Sequence, residues 1–161
     1  MIAHPSEFRD RTRPCCLHDL VDEQADRNPD GVAILAPGRR PLTYGRLRRH
    51  IADVVEALNA QGVGRNDRVA MVLPEGPELA VAFISIAAGA TCAPLNPACS
   101  AAEFDFHLAQ LRCRALLVPS GSTSPAIAVA DARGIPILEL RPLRGEEAGL
   151  FALHFSALLC S

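Results

Sequence analysis

With 161 residues, 49% of them hydrophobic and 21% charged, the chain has the length and make-up of one globular domain, which sets aside fibrous and disordered classes. Its formal net charge is −2 and its basic residues are scattered along the chain, so no stripe marks a nucleic-acid backbone as partner. All 16 basic residues are Arg and none is Lys. The chain therefore cannot supply a phosphate-loop lysine, a Schiff-base lysine or a lysine that neutralises a leaving phosphate, because Arg offers the charge but not a reactive amine.

In chain order, residues 1–14 are polar and aperiodic and read as a loose arm. Leu17, Leu20, Val21 and Ala25 recur at helical spacing until Asn28-Pro29 stops the helix. Val32 to Leu35 is a short apolar strand, Pro37-Gly38 a turn, and Leu42 the start of a second strand or hairpin arm. Thr43 is placed to cap a helix whose buried stripe is Leu47, Ile51, Val54, Val55 and Leu58, with Gly62 ending it. Arg68 to Leu73 is a strand of the fully buried type. Gly76-Pro77-Glu78 opens a helix that is apolar nearly all round to Ala88, so burial on all sides is expected of it. Thr91 to Leu95 is a strand, and Ser100 with Glu103 forms a capping box for the next helix. A strand over Ala115 to Val118, a helix capped by Ser124-Pro125 and ended by Gly134, and a strand over Ile135 to Leu140 complete the series.

Strands and helices thus alternate from Arg68 to Leu140, which predicts an α/β fold: a mainly parallel sheet flanked by helices. Beyond it, Leu150, Phe151, Leu153, Phe155, Leu158 and Leu159 make an apolar tail, residues 150–161, too short to span a bilayer as a helix. Nothing later in the sequence covers it. A cut-short strand or a stretch out of frame is the expectation there, with an exposed apolar patch and self-association as its consequence.

Six cysteines (Cys15, Cys16, Cys92, Cys99, Cys113 and Cys160) show no Cys-x-x-Cys spacing, and several sit in apolar runs where Cys behaves as a small hydrophobe. The N-terminus has no apolar core of a secretory signal, so free thiols in a reducing cytoplasm are expected.

Several phrases then carry a family resemblance. Leu17-His18-Asp19-Leu20 with Asn28-Pro29-Asp30 resembles the opening helix of the adenylate-forming ligases, the group of acyl-CoA synthetases, luciferases and nonribosomal adenylation domains. Leu42-Thr43-Tyr44-Gly45-Arg46-Leu47 resembles their first core motif, and Gly62-Val63-Gly64-Arg65-Asn66-Asp67-Arg68-Val69-Ala70 their G-V-x-x-G-D-R-V-A phrase. Ala87-Ala88-Gly89-Ala90 through Pro94-Leu95-Asn96-Pro97 is similar to the second core motif, in a version that leans toward ligases for small acids such as oxalate. In order and spacing the resemblance runs from Leu17 to Leu140, and residues 15–149 read as a partial N-terminal domain of such a ligase. Two positions depart from the pattern: Arg46 replaces a Glu that would close a capping box with Thr43, and Asn66 replaces a Gly.

The resemblance implies a two-step reaction. ATP and a carboxylic acid give an acyl-adenylate and pyrophosphate, and the thiol of CoA then displaces AMP; ATP, Mg and CoA are the implied cofactors of the full-length family. Catalysis there needs a Ser/Thr/Gly loop ending in Pro-Lys, an acid on the ribose and a lysine of a C-terminal domain. The matched motifs are structural and the chain has no Lys, so no catalytic, cofactor-binding or metal-binding residue is assigned, and a fragment inactive by itself is expected.

Other features have plainer readings. Ser120-Gly121-Ser122-Thr123-Ser124-Pro125 has the look of a phosphate loop, but with no Lys after it the reading is a helix-capping turn. Gly62-x-Gly64 precedes a strand, whereas a dinucleotide fingerprint follows one. Cys15-Cys16 with His18 lacks a second ligand pair for zinc. His107 reads as a packing residue beside Phe104, Phe106 and Leu108, and Tyr44 as a packing residue with a bonded hydroxyl. Two rivals stand beside the fragment reading: one part of a split ligase completed by a Lys-bearing partner, and a flavodoxin-like binder of a small molecule at the carboxyl ends of its strands.

Overall fold

The computed structural model describes residues 16–155. The expected arm (1–14), Cys15, Cys160, Leu158 and Leu159 lie outside the described residues.

The chain opens with helix α1 (Leu17–Arg27), which buries Val21 and Ala25 but leaves Leu17 and Leu20 exposed. A small antiparallel hairpin follows, β1 (Val32–Ile34) with β2 (Leu42–Thr43). Thr43 leads directly into α2 (Tyr44–Ala60): its hydroxyl oxygen accepts from the Arg46 backbone N–H at 3.3 Å, which satisfies one of the orphan donors of the first turn. The predicted stripe is buried at Leu47, Ile51, Val54 and Leu58. Position 50 falls on the same face, three residues after Leu47 and four before Val54, and it holds His50.

Then strands and helices alternate: β3 (Arg68–Met71), α3 (Pro77–Gly89), β4 (Thr91–Pro94), α4 (Ala101–Leu111), β5 (Ala115–Pro119), α5 (Pro125–Ala132), β6 (Ile137–Pro142) and β7 (Phe151–Phe155). The sheet order is β4-β3-β5-β6-β7. The pairs β3–β4, β3–β5 and β5–β6 are parallel, and β6–β7 is antiparallel.

Strand alternation divides the core in two. Val69, Met71, Ala115, Leu117, Leu138 and Leu140 face one side and pack under α2 and α3. Ala70, Val72, Leu116 and Val118 face the other, against Phe104 and Leu108 of α4 and Ala126 and Ala130 of α5. A strand buried on both faces must be apolar at every position, which is why Val69 to Leu73 is one unbroken apolar run.

Two expectations are corrected. Helix α3 is not buried all round: Val81, Ala82, Ser85 and Ile86 face inward, while Ala80, Phe83 and Ala87 lie on the open side. A helix covering one face of a sheet has a single inward stripe, and its apolar composition does not by itself supply a second layer. The apolar tail is also not bare where it is described. Residues 151–155 form β7 beside β6, Leu150 and Phe151 are buried, and Leu153 and Phe155 pack against the main core. The cover comes from earlier in the chain, from α2 and α3, which no inspection of later residues would find.

The turn between β6 and β7 fits only because of Gly149. Its φ is +87°, and a Cβ there would lie 2.5 Å from Val81 Cγ2 and 2.8 Å from the Pro77 carbonyl oxygen. Neither neighbour is a flexible side-chain end. Gly149→Ala is therefore expected to lower stability by about 3 kcal/mol in urea unfolding, from backbone strain and overpacking together. A loss below about 0.5 kcal/mol would contradict this packing.

Candidate functional site

In an open parallel sheet, ligands sit where the strand order reverses, outside the carboxyl ends of the strands. Here β3 connects to β4 on one side, and the chain then returns to lay β5 on the other side of β3. The crevice position thus lies between residues 72–76, after β3, and residues 120–124, after β5.

The first segment runs from Val72 and Leu73, both buried, to Gly76, the N-cap of α3. Glu78 stands in the first turn of α3. An acid there occupies the positive end of the helix dipole that an anion would use. The second segment turns back on itself. The Ser122 N–H donates to the Pro119 carbonyl at 3.0 Å, the Ser124 N–H to Ser122 Oγ at 3.2 Å, and the Ala126 N–H to Ser124 Oγ at 3.3 Å. These three amides are already engaged in the turn and at the cap of α5, so they are not free to form a row of donors around a phosphate. With no Lys in the chain, the residues present do not fit an ATP phosphate at this loop.

Beside this loop, Ser120 Oγ donates to Glu139 Oε2 at 2.9 Å, and Glu139 sits opposite His154 in the β6–β7 register. The hydroxyl bonds the carboxylate directly, whereas a nucleophilic triad needs an imidazole between the two. The register of an antiparallel strand creates this grouping, and nothing in the local sequence announces it.

A second polar cluster lies under the β1–β2 hairpin. Arg39 donates through Nη1 to Glu78 Oε1 at 3.0 Å, and through Nη2 to the carbonyls of Leu143 and Glu147 at 3.1 and 3.2 Å. Its side chain is 18% exposed and that of Glu78 19%, so the pair is largely withdrawn from water. Arg40 pairs with Glu146, and its carbonyl accepts from the Ala148 N–H at 2.8 Å. Arg46 Nε lies 3.9 Å from Glu147 Oε2. Arg46, which departs from the family pattern at the helix cap, thus reaches across to the β6–β7 connection. Glu146 and Glu147 belong to this clasp.

His50 completes the cluster. Its ring meets Phe151 of β7 edge-on, with centroids 4.6 Å apart and planes at 88°. It is buried, and Nε2 has no hydrogen-bond partner among the described residues. Burial pushes its pKa down to about 4, against a smaller opposing pull from Asp53 and with a further push from Arg46. The ring is neutral at pH 7. Sequence reading passed over it, although its place in the α2 stripe was the available signal.

The remaining candidates are apart from both places. Gly62 and Gly64 lie at the opposite end of the sheet, in the connection entering β3. Cys16 starts α1 and donates its N–H to Asp19, and His18 Nε2 lies 3.3 Å from Asp22 one turn on. Among the described residues no three His, Cys, Asp or Glu side chains converge on one point. His107 is half-buried on α4 with Phe106 edge-on at 5.6 Å. Tyr44 is half-buried at the first position of α2. Cys92 and Cys113 are partly buried, and desolvation raises both thiols, Cys92 to about 11. Among the described residues, no helix is long and apolar enough to cross a membrane.

Residues 21–149 match the family model described as AMP-binding enzyme. The chain is 35% identical over 116 residues to a probable CoA ligase of Humulus lupulus, covering 71% of this chain and 22% of that protein. It is 34% identical over 112 residues to the oxalate–CoA ligase of Arabidopsis thaliana, covering 68% of this chain and 22% of that protein. Among solved structures, that of apo MatB from Rhodopseudomonas palustris superposes with a TM-score of 0.69 at 21% identity, over 88% of this chain and 30% of that one. The chain thus spans about a fifth of the length of these curated relatives.

Two outcomes follow from the clasp. Arg39→Ala leaves the Glu78 carboxylate largely buried without its partner and is expected to cost about 3 kcal/mol in urea unfolding, with Arg39→Lys intermediate because one ammonium cannot serve three acceptors in a fork. Equal stability of Arg39→Ala and the parent would count against the clasp. For His50, the unfolded chain takes up a proton near pH 6.5 and the folded chain only near 4. Stability is therefore full above pH 6.5 and falls as pH drops toward 4, by roughly 3 kcal/mol at about 1.4 kcal/mol per pKa unit. His50→Gln should lack that component when the two pH–stability curves are subtracted; a flat difference between pH 7 and 4 would refute it.

Proposed function

The chain belongs to the AMP-binding enzyme family, and from that premise we propose that it is the N-terminal section of an AMP-forming acid–CoA ligase. The reaction is acyl-adenylate formation from ATP and a carboxylic acid, followed by thioester formation with CoA. In this reading residues 16–155 supply the sheet and the helices that cover it. The phosphate-binding loop, the ribose-binding acid and the lysine are supplied from outside the 161 residues, and the chain by itself does not catalyse either step.

The absence of Lys from the 161 residues, together with the engaged amides of Ser122, Ser124 and Ala126, carries this reading. Phosphoryl charge is stabilised by preorganised donors, and such donors are not grouped at the crevice position. The relative named oxalate–CoA ligase makes oxalate the first acid to test.

The purified 161-residue chain should give no ATP–pyrophosphate exchange above a protein-free control with oxalate or with longer acids. Mixing or co-expressing it with a polypeptide comprising the remainder of a family ligase should restore exchange. Exchange by the chain alone would overturn the claim of inactivity. Failure of every remainder to bind or complement it would favour a separate binding role.

A further inference from the structure

The arginines are scattered in sequence, but the fold gathers four of them at the amino-terminal edge of the sheet. Residues 64–68 enter β3 and residues 111–114 enter β5, and β3 and β5 are neighbours. The two segments are tied directly. The Arg114 N–H donates to the Arg68 carbonyl at 2.8 Å, and Arg68 Nη1 donates to the Leu111 carbonyl at 3.2 Å. Arg65, Arg68, Arg112 and Arg114 are all exposed. Arg112 is held in the left-handed region, φ 49°, at the C-cap of α4, where Gly is the usual residue.

Part of this charge has a local purpose. Arg68 bonds a carbonyl at the end of α4, and Arg114 Nη2 lies against Gly62 at the end of α2, 3.7 Å from where a Cβ would stand. Helix carboxyl ends carry about half a negative charge each. The only acid in the two segments is Asp67, whose Oδ2 accepts from the Gly64 N–H at 2.8 Å. Two helix ends and one carboxylate offset about two of the four positive charges. About two remain, on a chain whose net charge is −2. The side chains of Arg65, Arg112 and Arg114 make no ion pair or hydrogen bond among the described residues, whereas six other arginines are in ion pairs.

We propose that this arginine edge is a docking surface for an acidic segment of another polypeptide, rich in Asp and Glu. Guanidinium forks match carboxylates two bonds at a time. The segments have no aromatic residue on which a base could stack, which sets an acidic peptide above a nucleic acid. The inference does not depend on the ligase reading, since it concerns the edge opposite the strand-end crevice.

The test is fluorescence anisotropy of a labelled hexaglutamate peptide titrated with the 161-residue chain at 20 and 150 mM NaCl. A patch variant (Arg65→Gln, Arg112→Gly, Arg114→Gln) is compared with a charge-matched control (Arg49→Gln, Arg141→Gln, Arg144→Gln), with folding of both checked by circular dichroism. Binding by the parent that is weakened about tenfold in the patch variant and unchanged in the control supports the proposal. Equal loss in both variants, which would reduce the effect to net charge, overturns it. So does no binding at 20 mM NaCl, or binding of an oligophosphate or single-stranded DNA of the same charge that exceeds that of the peptide. If the patch variant does not fold, Arg65→Gln and Arg114→Gln alone, both at exposed positions, are compared with Arg49→Gln and Arg141→Gln alone.

Discussion

Arg39 holds together three parts of the chain that lie far apart in sequence. One guanidinium bonds Glu78 at the start of α3 and the carbonyls of Leu143 and Glu147 in the β6–β7 connection, while its own backbone belongs to the β1–β2 hairpin. A planar group with five donors in fixed directions can serve three acceptors at once, and an ammonium cannot do so with the same geometry. The Arg40 carbonyl and the Ala148 N–H add a backbone bond to the same junction. With the connection fixed, Gly149 is pressed against Val81 and Pro77, and β7 is delivered to the edge of the sheet in antiparallel register.

The apolar core depends on that delivery. Phe151 enters beneath α2, where His50 meets its ring edge-on and stays neutral because burial disfavours the charged form. Leu153 and Phe155 continue the same side of β7 against the main core. A polar clasp on the outside and an aromatic contact on the inside therefore fix the same connection. The first contributes direction and the second buried area. The close approach of α2 and α3 is set in a similar way by Gly89, where a Cβ would lie 3.1 Å from the Val55 methyls.

For function, the arrangement separates the two ends of the sheet. The carboxyl ends of β3 and β5 adjoin a loop whose amides cap α5 and a helix start already occupied by Glu78. The amino ends carry four exposed arginines brought together by strand pairing. Residues 21–149 match the AMP-binding enzyme family, and the chain is rich in buried aliphatic side chains and has no lysine.

Much of this was determined by the sequence alone. The helix of Leu47, Ile51, Val54 and Leu58, the capping box of Ser100 and Glu103, and the alternation from Arg68 to Leu140 are local matters of spacing and capping, legible because neighbours in sequence decide them. The lack of lysine is equally a property of the sequence, and it limits the chemistry whatever the fold. Tertiary structure alone decided the rest. Which side of α3 is open, that β7 runs antiparallel and is covered by residues a hundred positions earlier, that Arg39 finds Glu78, and that Arg65, Arg68, Arg112 and Arg114 share one edge all depend on strand order and register. Those arise from the packing of the whole chain, and no local period encodes them.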